Sequence, residues 1–171
     1  MMNQKTRSLA VNALVIALYV VLSWVSGLFG FAAGPIQFRL SESLNHLVAF
    51  NRKYIVGVTL GVVLYNALFS PMGWVDVVFG GGQTLLGLGL VYWLGPKCSK
   101  LWQRMALVTA SMSLTMIIIA WEIVWTGHMG WDKLLPMFGT LLPSELVMLL
   151  LSAPVMLAID RAVHFAKRVE A

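Results

Sequence analysis

Long apolar runs constrain this chain more than any other feature of its sequence. Five of them lie at about 8–30, 54–70, 75–95, 105–127 and 134–160, close to the length of about 20 residues that an α-helix needs to cross a bilayer. Backbone groups in lipid have no water to bond, so such runs are expected to be helical. The sequence therefore predicts an all-α membrane protein.

The composition supports this class. Hydrophobic residues make up 59% of the chain and charged residues 11%, with a mean hydropathy of +0.82, whereas soluble domains carry about a quarter charged residues. The 171 residues leave room for roughly six spans and no separate soluble domain, so we expect one integral membrane domain over 1–171. The expected location is the cell membrane, as a multi-pass protein in contact with the lipid bilayer.

A shorter and more polar segment at about 36–51 is the sixth candidate span, and the basic residues decide whether it crosses. If it does, ten basic residues fall on one side and two, Arg39 and Lys133, on the other or near it. The ten are Lys5, Arg7, Arg52, Lys53, Lys97, Lys100, Arg104, Arg161, Lys167 and Arg168. Basic loops favour the cytoplasmic side, so the sequence predicts a six-transmembrane-helix bundle, N-in and C-in, with a short second helix. We assign these charges to topology and expect no nucleic-acid partner.

Polar side chains concentrate in the half of the predicted bundle that lies away from the basic loops. They are Arg39, Glu42, Asn66, Asp76, Glu122 and Glu145. A charge exposed to lipid costs at least about 2.5 to 3.5 kcal/mol, so such residues normally face the bundle interior or a wet cavity. One outward-facing pocket would accommodate all six. Four carboxylates against one arginine indicate a cationic or donor-rich ligand.

On the second helix, Arg39, Glu42, Ser43 and His46 follow the spacing i, i+3, i+4, i+7. In an α-helix this spacing places them on one face, and we expect that face to line the pocket. The alternative is a self-contained ion pair, in which Arg39 or His46 neutralises Glu42 and holds a short helix against its neighbours.

On the fifth helix, Trp121 and Trp125 flank Glu122. Indole rings beside a carboxylate suit a flat ligand that stacks on the rings and donates N–H groups to the acid. The alternative for the tryptophans is an interfacial aromatic belt.

Two further candidates have structural alternatives of their own. Glu145 lies in the expected first turn of the last helix, where the helix dipole favours an acid without any ligand. Gln83 follows Gly80–Gly81–Gly82, which would offer backbone and amide groups to a ligand or simply permit close helix packing.

The first helix has small residues at Ala10, Ala13 and Ala17, and the last two form an AxxxA motif. Such a face lets another helix approach closely, either in this chain or in a partner. Cys98 is the single cysteine and has no metal-ligand spacing around it, and no nucleophile triad or nucleotide-binding loop is present. We therefore expect no catalytic residue, no metal site and no ATPase site in this chain.

Several of these residues together resemble the QueT family. The resemblance rests on the run Pro35-Ile36-Gln37-Phe38-Arg39-Leu40-Ser41-Glu42, on Asn45-His46-Leu47, and on Asp76-Val77-Val78-Phe79-Gly80 with Gln83-Thr84-Leu85-Leu86. It covers nearly the whole chain, although the second half matches mainly in size and helix count.

The resemblance implies an S component of an energy-coupling factor (ECF) transporter. Such a subunit binds a queuosine precursor, a 7-deazaguanine, from outside and docks on a transmembrane T component and two ATPases that use ATP. The AxxxA motif resembles the docking motif of S components. Two other functions stay open: an S component for another vitamin, and a proton-coupled secondary transporter that uses Asp76, Glu122 or Glu145. A membrane enzyme is the least supported reading.

Overall fold

The structure is a computed structural model and describes residues 3–30 and 38–169. Every regular element in these residues is a helix, which confirms the all-α prediction for this part of the chain. The α-helices are α1 (Gln4–Leu28), α2 (Leu47–Phe50), α3 (Tyr54–Phe69), α4 (Trp74–Leu94), α5 (Leu101–Thr126), α6 (Leu134–Val163) and α7 (Phe165–Arg168). Shorter 3₁₀ helices cover Leu40–His46, Gly95–Lys97 and Trp131–Lys133.

Among the described residues, four helical segments are long and apolar enough to cross a membrane. They are α1, α4 extended to Lys97, α5, and α6 extended back to Trp131, and α3 is a shorter apolar helix of 16 residues. The predicted bounds of α3 and α4 agree with the structure within one residue at each end. The chain is thus a multi-pass helical membrane protein.

The predicted second helix is where the structure departs from expectation. Its first residues, 36 and 37, lie outside the described part of the chain. The rest is a 3₁₀ helix over Leu40–His46 followed by the single turn of α2. Because a 3₁₀ helix has three residues per turn, the predicted α-helical face of Arg39, Glu42, Ser43 and His46 does not form.

Contacts to α1 fix the direction of this segment. Asn12 Oδ1 accepts a hydrogen bond from Gly57 N at 2.8 Å, and Tyr19 packs on Gly61, so α1 and α3 run in the same direction. Along the 3₁₀ helix the order is reversed, because Ser26 Oγ accepts from Leu40 N at 2.9 Å and Ser23 Oγ donates to Ser41 Oγ at 2.7 Å. The 3₁₀ segment therefore runs back along α1 to the end where α3 begins.

Several basic residues meet at that end of the bundle. Arg7 Nε donates to the carbonyl oxygen of Arg168 at 3.1 Å, and Lys53 Nζ donates to that of Val169 at 3.2 Å. Tyr54 OH donates to the carbonyl oxygen of Phe165 at 2.9 Å. The beginnings of α1 and α3 and the C-terminal α7 are thus neighbours, and this end is called the basic end below.

The apolar core lies between α1, the 3₁₀ helix with α2, and helices α3 to α6. Val58, Leu88, Met112 and Leu149 are completely buried there. Large apolar side chains are also exposed on the outer faces of the helices, such as Leu9 on α1 and Leu151 on α6. Outer faces of this kind suit contact with lipid.

Close packing of α1 on α3 depends on Gly61. A Cβ atom at this position would lie 2.6 Å from Tyr19 Cβ, closer than two carbon atoms can approach. Tyr19 Cβ is next to the backbone, so the helices themselves would have to separate. The same backbone contact holds Tyr19 in place for the site described below.

We expect Gly61→Ala to destabilise the fold by about 1 to 3 kcal/mol through overpacking. The melting temperature of the detergent-purified protein measures the effect. Gly89→Ala on α4 is the matched control, since nothing lies within 4 Å of a Cβ atom at that position, and alanine is the better helix former. A Gly61→Ala protein that melts at or above the wild-type temperature would contradict the packing argument.

Candidate functional site

Glu42 is a buried carboxylate with a hydrogen bond to each oxygen. Tyr19 OH donates to Oε1 at 2.6 Å, and Asn45 Nδ2 donates to Oε2 at 2.6 Å. Glu42 and Asn45 are three residues apart, so the 3₁₀ helix places them on the same face. Charged hydrogen bonds of this length are strong, which lets an acid persist inside an apolar bundle.

Gln83 makes the corresponding polar link between α4 and α5. Its Nε2 donates to Thr115 Oγ1 at 2.9 Å and to the Met112 carbonyl oxygen at 3.3 Å, and its Oε1 accepts from Thr84 Oγ1 at 3.3 Å. The amide is buried and its orientation is fixed from both ends. It is a rigid polar group in an apolar wall.

A cavity between the 3₁₀ helix and helices α3 to α6 brings these groups together. Its volume is about 20 Å³, which is enough for about one water molecule. It is lined by Arg39, Glu42, Val62, Gly80, Gln83, Thr84, Met116, Ile119 and Glu145. Four of the predicted site residues, Arg39, Glu42, Gln83 and Glu145, therefore surround one space.

Glu145 contributes an oxygen that nothing in the described chain satisfies. The residue is 5% exposed, and its Oε1 is buried without a hydrogen-bond partner among the described residues. Its charged neighbours are Glu42 and Arg39. Burying an unpaired acceptor of this kind is costly, so the carboxyl group is suited to accept a donor from a ligand.

Asp76 on α4 and Glu122 on α5 form an acidic pair. Glu122 is 4% exposed, its Oε1 has no hydrogen-bond partner among the described residues, and Asp76 is its close neighbour. Arg39 interacts electrostatically with Glu122 as well as with Glu145. Arg39 thus connects the acidic pair to the cavity, although neither Asp76 nor Glu122 lines it.

Asn66 and His46 lie outside the cavity lining. Asn66 Nδ2 donates to the backbone oxygen of Asp76 at 2.7 Å, so the residue ties α3 to the first turn of α4. His46 is completely buried, and its Nε2 is 3.0 Å from the carbonyl oxygen of Leu149 on α6. The 3₁₀ geometry turns His46 towards α6, which corrects the prediction that it shares a face with Arg39 and Glu42.

The two predicted stacking residues lie at the surface of the bundle. Trp121 is 50% exposed and Trp125 47% exposed. Both rings pack on Phe79 of α4, with centroid distances of 6.0 Å for Trp121 and 5.9 Å for Trp125. This placement fits the aromatic belt that the sequence left open as an alternative.

Tyr19 and Asn45 form hydrogen bonds with Glu42, and Thr84 lines the cavity, but the sequence did not predict any of the three as a site residue. One signal was available for Tyr19. Asn12, Tyr19, Ser23 and Ser26 fall at i, i+7, i+11 and i+14 and are the polar buried residues of α1, so they form a polar face in an otherwise apolar helix.

The small residues of α1 point in a different direction. Ala10, Ala13 and Ala17 are exposed, whereas Asn12, Val15 and Tyr19 face the bundle. No helix in the described part of the chain covers the AxxxA motif. Within the same residues, no three His, Cys, Asp or Glu side chains come together as metal ligands would.

Comparison with known proteins places this architecture in a family. The family model described as QueT transporter matches residues 9–161. A curated protein from Lactococcus lactis subsp. cremoris strain MG1363, named Queuosine precursor transporter QueT, is 34% identical over 174 residues, which cover 98% of this chain and 100% of the relative. No solved structure matches the chain. The match to the family model covers most of the chain and agrees with the apolar helices and the internal polar cavity: the chain belongs to the QueT transporter family and is a transporter, not an enzyme.

Proposed function

We propose that this chain is the substrate-binding S component of an ECF-type importer in the cell membrane and that it binds a queuosine precursor of the 7-deazaguanine class. The relative's name supports the substrate class, since the two proteins match over their full lengths. The observation that carries the proposal is the unpaired Glu145 oxygen beside Glu42 and Gln83 at one buried cavity.

The chemistry of a 7-deazaguanine complements these groups. The guanine edge presents N–H donors, which Glu145 would accept. An aminomethyl substituent would add a cation, which the negative surroundings of Glu42 would favour. Gln83 would exchange its bond to Thr115 for one to the ligand carbonyl. Asp76 and Glu122 would extend the acidic surface on the side of Arg39, with Trp121 and Trp125 beside them.

Binding requires the cavity to expand. Pockets for small molecules measure about 300 to 1,000 Å³, whereas the cavity here is about 20 Å³. Substrate binding is therefore coupled to a movement of the surrounding helices. Such coupling suits a subunit that takes a ligand on one side and releases it on the other.

The direction of the chain supports six crossings. α1 and α3 are parallel, so the segment between them returns across the bundle, and α3 to α6 add four spans. With the basic end in the cytoplasm, both termini are inside and the acidic cavity lies towards the outer side. This orientation allows substrate entry from outside.

The exposed AxxxA face of α1 would dock the T component, and two partner ATPases would supply the energy of ATP. Small residues let a partner helix approach the backbone of α1 closely. Exposed Ala10, Ala13 and Ala17 meet this requirement, since no described helix of this chain covers them. The chain itself would need no cofactor.

A proton-coupled secondary transporter is the second candidate, and the neighbouring acids Asp76 and Glu122 favour it. Ionisable residues inside membrane spans are typical of proton relays, and of these two acids Glu122 is buried and Asp76 is partly buried. An S component differs from such a transporter because it cannot move substrate without its ATPase partners.

We expect Glu145→Gln to weaken binding of 7-aminomethyl-7-deazaguanine more than tenfold, which corresponds to about 1.4 kcal/mol or more. The reason is that glutamine replaces one carboxyl oxygen of Glu145 with an N–H₂ donor at the cavity. Titration calorimetry on the detergent-purified chain measures the affinity. Asp132→Asn is the control because Asp132 is exposed and paired with Lys133 at 2.9 Å. Unchanged affinity in a well-folded Glu145→Gln protein would remove Glu145 from the site.

Reconstitution separates the two candidate mechanisms. Vesicles that contain this chain alone should bind the precursor but should not accumulate it when an inward proton gradient is applied. Uptake of radiolabelled precursor is the measurement, and dissipating the gradient with an uncoupler is the control. Accumulation that the uncoupler abolishes would replace the ECF proposal with proton coupling.

We expect Ala13→Leu to abolish uptake by cells that contain the ECF module. Ligand binding by the purified chain should stay within about twofold of wild type, because Ala13 does not line the cavity. The larger side chain would keep the partner helix away from α1. Ala110→Leu, which adds the same bulk to an exposed position on α5, is the matched control. Wild-type uptake by the Ala13→Leu variant would contradict docking at this face.

A further inference from the structure

A second, larger cavity lies at the basic end of the bundle. It is a groove of about 710 Å³ between the junction of α2 with α3, the end of α4 and the start of α5. Its lining consists of Val48, Phe50, Asn51, Arg52, Lys53, Ile55, Val56, Val91, Tyr92, Gly95, Pro96, Cys98 and Arg104. On α4, Gln83 lines the candidate substrate cavity and Val91 lines the groove. The rise of an α-helix separates these two residues by about 12 Å. The groove is therefore distinct from the candidate substrate site.

The charge of the groove has one sign. Arg52, Lys53 and Arg104 contribute three cations, and no acidic residue belongs to its lining in the described chain. The volume falls within the range of about 300 to 1,000 Å³ that is typical of ligand sites. A concave surface with three cations and no carboxylate attracts an anion.

The two arginines of the groove are available to an anion in different ways. Arg104 Nε is buried and has no hydrogen-bond partner among the described residues. The Arg52 guanidinium lies 4.8 Å from the centre of the Tyr92 ring. The ring contact holds the Arg52 side chain in place through a cation–π interaction. Two guanidinium groups on one groove match the paired oxygens of a phosphate.

The groove also lies where lipid headgroups are expected. Trp93 at the end of α4 is 76% exposed, and Trp102 at the start of α5 is 62% exposed. Exposed tryptophans at helix ends mark the level of the headgroups. Val56, which lines the groove, is itself exposed on α3, so the groove opens beside the lipid-facing surface.

We propose that this groove binds a phosphate group through Arg52 and Arg104, either the headgroup of an anionic phospholipid or a free phosphate compound. Lys53 would add a third charge, since its Nζ uses one donor on the Val169 carbonyl oxygen. The proposal does not depend on the transport mechanism, because the groove shares no lining residue with the cavity that contains Glu42 and Glu145.

A thermal-shift titration tests the proposal on the delipidated, detergent-purified chain at constant ionic strength. The probes are phosphatidylglycerol, phosphatidylcholine and inorganic phosphate. Phosphatidylglycerol or inorganic phosphate should raise the melting temperature, and phosphatidylcholine should not. A shift with the lipid alone identifies a headgroup site, and a shift with inorganic phosphate identifies a site for free phosphate.

Variants make the test specific. Arg52→Gln and Arg104→Gln should each weaken the response about fivefold in apparent affinity, as expected for one basic residue at an anionic surface. Lys97→Gln and Lys100→Gln make the same change of charge at the same end of the bundle but outside the groove, and should leave the response unchanged. If Arg104→Gln does not fold, Arg52→Gln alone decides, because Arg52 is exposed.

Two outcomes would overturn the proposal. One is an equal response to phosphatidylcholine and phosphatidylglycerol with no response to phosphate. The other is an equal loss in the Arg52→Gln variant and the lysine controls, which would indicate nonspecific attraction to a basic surface.

Discussion

Keeping the Glu42 carboxylate inside an apolar bundle is the requirement on which the polar interior of this protein depends. A carboxylate removed from water needs a donor for each oxygen, and here one comes from α1 through Tyr19 and the other from the same 3₁₀ helix through Asn45. The same Tyr19 side chain packs on Gly61 of α3. The position of three helices is thus tied to one acid, and that acid forms part of the wall of the candidate site.

The sequence predicts the long helices well because their signal is strong and simple. An apolar run that ends at glycine, proline or charged residues has one favourable structure in lipid, so the predicted bounds of α3 and α4 are nearly those observed. The segment after α1 carries no such signal. Over the seven residues Leu40–His46, periods of 3.0 and 3.6 differ by less than half a turn, and the choice is made by hydrogen bonds to Ser23 and Ser26 on α1. Those contacts are between distant parts of the chain.

For the candidate site, the sequence predicts how deep a side chain lies in the membrane better than it predicts which way the side chain points around its helix. Position along a predicted span gives the depth of a side chain. From depth alone, Arg39, Glu42 and Glu145 are predicted to lie in the half of the bundle away from the basic end. Direction around the helix is harder to predict, as two consecutive residues of α5 illustrate: Glu122 is buried, whereas Trp121 is half exposed. Successive residues of an α-helix point about 100° apart, so a charged residue and its neighbour need not share an environment.

The polar contacts also indicate how the candidate substrate cavity would open. Among the described residues, Ser26, Ser23 and Tyr19 of α1 form hydrogen bonds with the 3₁₀ segment, and His46 forms one with α6. Moving α6 away from the 3₁₀ segment would break the His46 hydrogen bond and separate Glu145 from Arg39, while Glu42 would keep both of its donors. Separating α1 instead would leave the Glu42 carboxylate with one donor and would expose the apolar packing of Tyr19 on Gly61. The smaller cost favours α6 as the moving wall, because an unpaired buried carboxylate is the most expensive group in this interior.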